Sequence, residues 1–240
     1  GTTSSTGFDP LPAIGPIAER ERLWLHVDAA FAGSAAIVPE LRWILEGIEW
    51  ADSLVLNPHK WLLVNHDCSA YFVKDPEALL RSFSTSPEYL KTKYDAAVVN
   101  FRDWGIPLGR RFRALKLWFV IRSYGVEGLR AMIREHVRLG ALFAGWVDAD
   151  PAFDLAAPAP VGLVCFRWHP RGADSGEAQD DANRRLLDAV NAPGDLFLTH
   201  TVLGGRFVLR LALGHLSTTE AVVARVWDRV RAAAVALDRR

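Results

Sequence analysis

The chain has 240 residues, 50% of them hydrophobic, and its 28 Lys and Arg balance its 28 Asp and Glu to a formal net charge of zero. This composition excludes an intrinsically disordered chain, and a chain of this length buries roughly 70% of the surface that its unfolded form exposes. Balanced charge without a run of basic residues argues against nucleic acid as a partner. No apolar run approaches the ~20 residues of a membrane span, so we also expect no membrane partner.

The two cysteines and the first residues bear on location. Cys68 and Cys165 lie in apolar surroundings outside a C-x-x-C pattern, which predicts reduced core thiols and favours the cytoplasm. The chain begins with GTTSSTG rather than Met and shows neither the charged nor the apolar region of a signal peptide. We therefore expect a cytoplasmic protein, of which this chain is one part.

The first half of the chain has the pattern of a βαβ unit. Leu23 to Asp28 and Ser53 to Asn57 are short apolar runs that predict buried strands, the second of them stopped by Pro58. Between them, apolar residues at i, i+3, i+4 and i+7 predict a covering helix. These residues are Leu41, Ile44, Leu45 and Ile48. Cys68 to Val73 predicts a further strand paired nearby.

Helices and a second sheet are predicted after an irregular middle segment. Ser82 to Gly109 has little periodicity, which is typical of a functional or mobile loop. Two helices follow and are expected to bridge to a second domain. The predicted elements are helices over Arg110 to Tyr124, closed by Gly125, and over Glu127 to Trp146, strands over Val161 to Trp168 and Arg206 to Leu213, and a helix near 178–190. A capping box, Ser217 to Glu220, predicts the start of the last helix.

Asp28 and Lys60 are the strongest candidates for chemistry. Asp28 ends the first predicted strand, and Lys60 lies three residues past the second. Parallel strands place both at the carboxyl edge of the sheet, where open α/β sheets bind ligands. Only five of the 28 basic residues are lysine, and lysine alone forms imines with aldehydes. A carboxylate opposite a lysine suits pyridoxal phosphate, which has a ring nitrogen and an aldehyde; the alternative is a surface lysine beside a proline turn.

The motif around Lys60 identifies a family. The segment NPHKW, Asn57 to Trp61, with LHVDAAFAGSA upstream and IPLGRRFRALKLW downstream, closely resembles the group II pyridoxal phosphate decarboxylases, in particular the aromatic L-amino acid decarboxylases. The resemblance runs from GTTSSTGFDP to FVLRLAL and corresponds to the carboxyl-terminal half of these enzymes. It implies an α/β fold, PLP-dependent transferase fold type I (aspartate aminotransferase-like), and a homodimer in the full-length form.

The resemblance also implies a division of the chain. Residues 1–116 would be the remainder of the PLP-binding large domain, with a mobile loop at about 82–109. Residues 117–240 would be the small α+β carboxyl-terminal domain with its linking helices.

Carried over residue by residue, the resemblance assigns the cofactor contacts. They are Lys60, Asp28, Ala30, Asn57, His59 and Thr3. Lys60 would hold the cofactor aldehyde covalently, and Asp28 would stabilise the protonated pyridine nitrogen. Ala30 would lie near the ring, where a small side chain leaves room. His26 shares a strand face with Asp28 and would either orient that carboxylate or be a core histidine.

The resemblance implies three catalytic residues, which are Lys60, Tyr89 and His59. Tyr89 aligns with the mobile-loop tyrosine of the family, which returns a proton to the α-carbon after carbon dioxide leaves. Related enzymes with Phe there form aldehydes, so Tyr89 favours simple decarboxylation. Gly109 resembles a position that leaves room for an aromatic substrate; the alternative is a glycine at the start of a helix.

The expected function is decarboxylation of an aromatic L-amino acid, such as tryptophan, tyrosine or DOPA, to the amine and carbon dioxide. One alternative keeps the cofactor and forms an aldehyde or uses another amino acid. Another is an inactive fragment or interaction module that lacks half of the site. The dispersed histidines offer no ligand set, so no metal site is predicted.

Overall fold

Two β-sheets and one long helix between them organise the described part of the chain. The computed structural model describes residues 1–84 and 87–239. The first sheet has the strand order β1-β2-β3 and the second the order β4-β5-β7-β6. The strands are β1 (His26–Asp28), β2 (Ser53–Leu56), β3 (Ala70–Val73), β4 (Phe153–Leu155), β5 (Leu163–Trp168), β6 (Thr199–Leu203) and β7 (Arg206–Ala212). The helices are α1 (Leu11–Arg20), α2 (Pro58–Trp61), α3 (Pro76–Phe83), α4 (Arg113–Ala149), α5 (Gly176–Asn191) and α6 (Glu220–Asp238).

The first sheet contains the parallel strand pair that the sequence predicts. Strand β1 runs parallel to β2, with Asp28 opposite Val55. Strand β3 lies antiparallel on the other side of β2. The predicted parallel pairing is therefore confirmed, although β1 begins only at His26 and Leu23 is exposed.

The crossover between β1 and β2 is not the single α-helix that the apolar spacing predicts. It consists of the 3₁₀ helices Ala32–Ile37, Pro39–Leu45 and Ile48–Trp50. Gly47 interrupts the helical path because its φ is 84°, and a Cβ there would lie 2.6 Å from the nitrogen of Pro12. Leu41 and Ile44 are nevertheless buried. The predicted inward face is confirmed, and the predicted helix type is wrong.

The predicted loop at 82–109 is largely irregular. Helix α3 extends into it as far as Phe83, and three 3₁₀ turns follow: Glu88–Leu90, Asp95–Ala97 and Phe101–Trp104. Two of its positions, Thr85 and Ser86, lie outside the described residues. The mobility of this loop and the domain boundary after residue 116 stay predictions.

Helix α4 has two arms that meet at Gly125, where φ is 67° and ψ is 168°. This confirms the two helices predicted on either side of that glycine. In the second arm, Ile133 packs in the core around Trp61, whereas Phe143 and Val147 pack in the core of the second sheet. One helix therefore belongs to both cores.

Neither α4 nor any other helix of the described ranges is long and apolar enough to cross a membrane.

The second sheet is antiparallel and larger than predicted. Strands β5 and β7 confirm the two predicted strands and pair with each other. The sequence analysis missed β4, which has only three residues, and β6, an edge strand in which partly buried and exposed residues alternate. Helices α4, α5 and α6 cover one face of this sheet and enclose its apolar core.

The last helix begins two residues later than the capping box predicts. Thr219 is the N-cap of α6, and its hydroxyl accepts a hydrogen bond from the Val222 backbone N–H. The Ser217 hydroxyl lies instead 2.8 Å from Nδ1 of His215. The predicted capping box is therefore wrong, because the Ser217 side chain is engaged within the preceding turn.

Replacing Phe143 by alanine should lower the free energy of unfolding by about 3–5 kcal/mol, because the change leaves a cavity in the core. The Phe143 ring is 0% exposed and its centroid lies 5.4 Å from that of Phe166. Phe119 on the same helix is 58% exposed, so Phe119→Ala is the matched control and should cost less than about 1 kcal/mol. Urea unfolding measures both variants, and equal losses would contradict this core.

Candidate active site

Asp28, Ala30 and Asn57 lie together at the carboxyl edge of the first sheet. Hydrogen bonding between the two parallel strands continues past their ends: the Ala29 N–H donates to the Val55 carbonyl at 2.9 Å, and the Asn57 N–H donates to the Ala30 carbonyl at 3.0 Å. The Asp28 carboxylate accepts a 2.9 Å hydrogen bond from the Ala30 N–H and is otherwise exposed. The predicted juxtaposition is thus present, and the backbone holds it.

Helix α2 presents Lys60 at this edge. It begins at Pro58, which fits the first position of a helix because it has no N–H to satisfy. The Lys60 N–H donates to the Asn57 carbonyl at 2.9 Å. The Lys60 side chain is exposed and, among the described residues, makes no hydrogen bond or ion pair. Its amine is therefore open to reaction.

His59 ties α2 to the segment before β3. Its Nδ1 lies 2.7 Å from the carbonyl oxygen and 3.0 Å from the nitrogen of Cys68. The ring meets His66 edge to face, with 4.7 Å between centroids. Within the described ranges Nε2 of His59 has no hydrogen-bond partner, so this nitrogen is available to a ligand. Burial raises the pKa of the Cys68 thiol, which keeps it protonated and leaves His59 without a thiolate neighbour.

The turn that carries Thr3 is docked on the second sheet. Arg210 of β7 donates from Nη2 to the Thr3 carbonyl at 2.8 Å and from Nε to the Ser4 carbonyl at 3.2 Å. Within the turn, the Gly7 N–H donates to the Thr2 hydroxyl at 3.0 Å. The Thr3 side chain itself is exposed. The cofactor contact predicted for Thr3 therefore stays a prediction.

A cavity of about 270 Å³ adjoins the Asp28 end of β1. Phe8, His26 and Ile44 are among its lining residues.

His26 does not orient Asp28 as the strand alternation suggests, because its Nδ1 lies 2.8 Å from the Ser53 hydroxyl. It is not a core histidine either, because it is exposed.

Tyr89 and Gly109 lie in the irregular segment away from these contacts. Tyr89 is 80% exposed within the turn Glu88–Leu90. A Cβ built on Gly109 would have no heavy atom within 4 Å. The described contacts bring neither residue against Asp28 or Lys60, so their roles stay predictions.

The residues at the sheet edge fit pyridoxal phosphate. Asn57 Oδ1 and the Ser34 hydroxyl are buried without a hydrogen-bond partner in the described part of the chain. A buried polar group without a partner costs about 1–3 kcal/mol unless a ligand meets it. This edge carries an amide, an imidazole nitrogen, an amine and a carboxylate, which are the groups that a phosphate, an aldehyde and a ring nitrogen require.

A buried hydrogen-bond network lies behind Lys60. The Trp61 indole N–H donates to Nδ1 of His136 at 3.0 Å, which requires a bare Nδ1 and places the imidazole proton on Nε2. That Nε2–H donates to the His215 carbonyl at 3.2 Å. Burial lowers the pKa of His136, and the His215 carbonyl and the charge of Glu135 offset this only in part. His136 is thus held neutral in one tautomer.

Comparison with known proteins gives the family. Residues 1–169 match the pyridoxal-dependent decarboxylase conserved domain. The chain belongs to the pyridoxal-dependent decarboxylase family. Phenylacetaldehyde synthase of Arabidopsis thaliana is 50% identical over 233 residues, which cover 96% of this chain and 47% of that protein. Aromatic-L-amino-acid decarboxylase of Catharanthus roseus is 48% identical over 233 residues, 96% of this chain and 46% of that protein.

Solved structures in the family share this fold. The crystal structure of Oryza sativa TDC with PLP and tryptamine matches with a TM-score of 0.94 at 41% identity, over 99% of this chain and 49% of that chain. The predicted fold class, PLP-dependent transferase fold type I, is confirmed. The chain spans about half the length of the relatives it matches.

Sequence analysis missed two residues that support this decarboxylase-family site. Arg210 was detectable as a charged residue inside the apolar strand FVLRLAL. His136 lies on the buried face of α4, three residues after Ile133 and three before Leu139. A polar residue on an apolar helix stripe is a usable signal, but its partner Trp61 is distant in sequence.

His136 should make the folded state sensitive to mild acid. Because its pKa is lowered from the usual 6.5, the unfolded chain takes up a proton below about pH 6.5 that the folded chain does not, and stability is lost there. His136→Asn should lower the free energy of unfolding by about 1–2 kcal/mol at neutral pH. Below about pH 6.5 only the unmodified chain loses stability by this protonation, because the variant lacks the imidazole. The difference in the free energy of unfolding between the two proteins should therefore narrow as the pH falls. Urea unfolding at several pH values measures it, and a constant difference would refute the buried neutral imidazole.

Proposed function

We propose that this chain supplies the lysine-bearing part of a pyridoxal phosphate site that decarboxylates an aromatic L-amino acid of the tryptophan, tyrosine or DOPA class to the amine and carbon dioxide. The observation that carries the proposal is the common edge of Asp28, Asn57 and Lys60, with the Asn57 amide oxygen buried and unpartnered among the described residues. The names of the relatives in Catharanthus roseus and Oryza sativa support the substrate class.

Each residue at the edge has a separate task. Pyridoxal phosphate, when bound, accepts the electron pair that departing carbon dioxide leaves behind. Lys60 would hold the cofactor through its amine. Asp28 keeps a proton on the ring nitrogen, because a carboxylate favours the charged form of a neighbouring base. Asn57 and His59 bind and orient the cofactor from the side of α2.

Tyr89 completes the reaction in this proposal. Its hydroxyl donates a proton to the substrate α-carbon after carbon dioxide leaves. Since Tyr89 is exposed in an irregular segment, the segment must close over the site and exclude water for this step. Gly109 would leave room for the aromatic ring of the substrate, in keeping with the open space around it.

Aldehyde formation is the second candidate. It is favoured by the 50% identity to a protein named phenylacetaldehyde synthase. The tyrosine at position 89 favours the amine, because the family resemblance links aldehyde formation to Phe there. The ratio of amine to aldehyde separates the two candidates.

A homodimer in the full-length form and a cytoplasmic location are part of the proposal. The first arm of α4 exposes large apolar side chains, which a soluble protein normally covers. They include Leu115, Trp118, Phe119, Ile121 and Tyr124. A second subunit would bury this surface. Both cysteines are buried and unbridged, which supports a reducing compartment.

Lys60→Arg should abolish covalent capture of pyridoxal phosphate and reduce amine formation to background, because a guanidinium keeps the charge and cannot form an imine. Lys74→Arg is the matched control: Lys74 Nζ donates to the Glu49 carbonyl at 2.6 Å, away from the Asp28 edge. Borohydride reduction followed by peptide mass mapping locates the cofactor, and chromatography quantifies the amine. Undiminished amine formation by the Lys60→Arg protein would disprove the assignment.

Tyr89→Phe should shift the product from amine toward aldehyde and hydrogen peroxide, because the hydroxyl that protonates the α-carbon is gone and dioxygen reacts instead. Tyr94→Phe removes a hydroxyl from another exposed tyrosine of the same segment and should leave the product ratio unchanged. Chromatography of both products with a peroxide assay gives the ratio. An unchanged ratio in Tyr89→Phe would exclude Tyr89 as the proton donor.

A further inference from the structure

Lys60 and its neighbour Trp61 face opposite environments. Lys60 is exposed, whereas Trp61 is 0% exposed. The Trp61 indole stacks on Phe31, with ring centroids 4.7 Å apart and an interplanar angle of 9°. Phe31 directly follows Ala30. One aromatic contact therefore joins the loop after β1 to the turn that carries Lys60.

His136 meets the edge of the Trp61 indole at its N–H. The two rings are nearly parallel, at 8° and 6.5 Å between centroids, and the indole N–H donates to Nδ1 of His136. His136 is 2% exposed, and its Nε2–H is used by the carbonyl of His215. Both ring nitrogens are committed, so the imidazole has a single satisfied orientation.

Helix α4 holds His136 in place. Six residues before it, Arg130 Nε donates to the Ile37 carbonyl at 2.8 Å, and two residues before it, Arg134 pairs with Glu40. On the other side, a Cβ at Gly162 would lie 3.2 Å from the His136 carbonyl oxygen, so the backbone just before β5 is in close contact. His136 is therefore a fixed point against which the Trp61 indole is set.

Helix α2 needs such a fixed point. It has four residues, too few to be stable alone, because helices this short depend on tertiary contacts. If the Trp61 N–H lost its acceptor, a buried donor would be left unsatisfied and α2 would move to find another. Lys60, the residue just before Trp61 in α2, would move with it.

We propose that His136 is a positioning residue for Lys60 and acts through the Trp61 indole. The inference rests on the proposed function, since it assumes that Lys60 binds the cofactor. His136 itself has no contact with the reacting atoms in this proposal. Its task is to fix the direction in which α2 presents the Lys60 amine.

Four variants separate positioning from bulk stability. His136→Leu fills the position with an apolar side chain and removes both hydrogen bonds. His136→Asn places an amide oxygen where Nδ1 stands, so it keeps an acceptor for the Trp61 indole. Trp61→Phe keeps the stack and removes the donor. Leu139→Ala is the control, because Leu139 is buried in the core of the second sheet on the same helix.

The first measurement needs no cofactor. In protein labelled with ¹⁵N-tryptophan, Trp61→Phe assigns the Trp61 indole signal. This signal should move upfield in His136→Leu and stay in place in His136→Asn. The Lys60 and Leu62 amides, which donate to the Asn57 and Pro58 carbonyls, should exchange about tenfold faster in His136→Leu. They should be unchanged in Leu139→Ala under conditions where the protein stays folded.

The second measurement is pyridoxal phosphate binding at Lys60, titrated by absorbance and located by reduction and mass mapping. Kd should rise about tenfold in His136→Leu and Trp61→Phe, and by less than about twofold in His136→Asn and Leu139→Ala. A merely structural role predicts instead that Leu139→Ala, the more destabilising change, weakens binding as much as His136→Leu.

The outcomes are separable. If the unmodified chain captures the cofactor at Lys60 and His136→Leu binds it equally well, the positioning role is overturned and the proposed function stands. If the unmodified chain captures none, the proposed function loses its support, and the exchange rates alone decide the role of His136. Unchanged exchange of the Lys60 and Leu62 amides in His136→Leu would overturn it.

Discussion

The parallel pairing of β1 with β2 is the constraint on which the candidate site depends. Its backbone hydrogen bonds continue beyond the strands, from Ala29 to Val55 and from Asn57 to Ala30. They bring the ends of two strands, and with them Asp28 and Lys60, to one edge of the sheet. Parallel strands need a crossover connection, and here it is a series of short 3₁₀ helices rather than one α-helix.

Helix α4 is the second organising element. Its second arm packs Ile133 with the core around Trp61 and packs Phe143 with the core of the second sheet. A helix that is buried in two cores cannot move relative to one without disturbing the other. His136 lies between these two contacts on the helix. It is therefore held rigidly, and through the Trp61 indole it can position Lys60 from outside the sheet edge.

Local patterns predicted the parts of the molecule that local physics controls. The positions of Asp28 and Lys60 at the ends of the strands follow from short apolar runs and a proline stop. Gly125 closes the first arm of α4, as glycine often does at the end of a helix. The crossover helix was mispredicted because Gly47 adopts a left-handed conformation against Pro12, a contact across the fold. The capping box failed because Ser217 turned back to His215.

The sequence by itself determined the family, through NPHKW and its flanking segments, and the residue types that the site uses. Only the tertiary structure decided which side chains support them. The Trp61 to His136 hydrogen bond spans 75 residues, and the Arg210 contact with Thr3 spans 207. No periodicity within one helix or strand encodes such pairs, because they exist only once both elements are packed. The hydrogen bonds from Trp61 and to His215 then set the tautomer of His136, and burial lowers its pKa; its position in the sequence reveals neither.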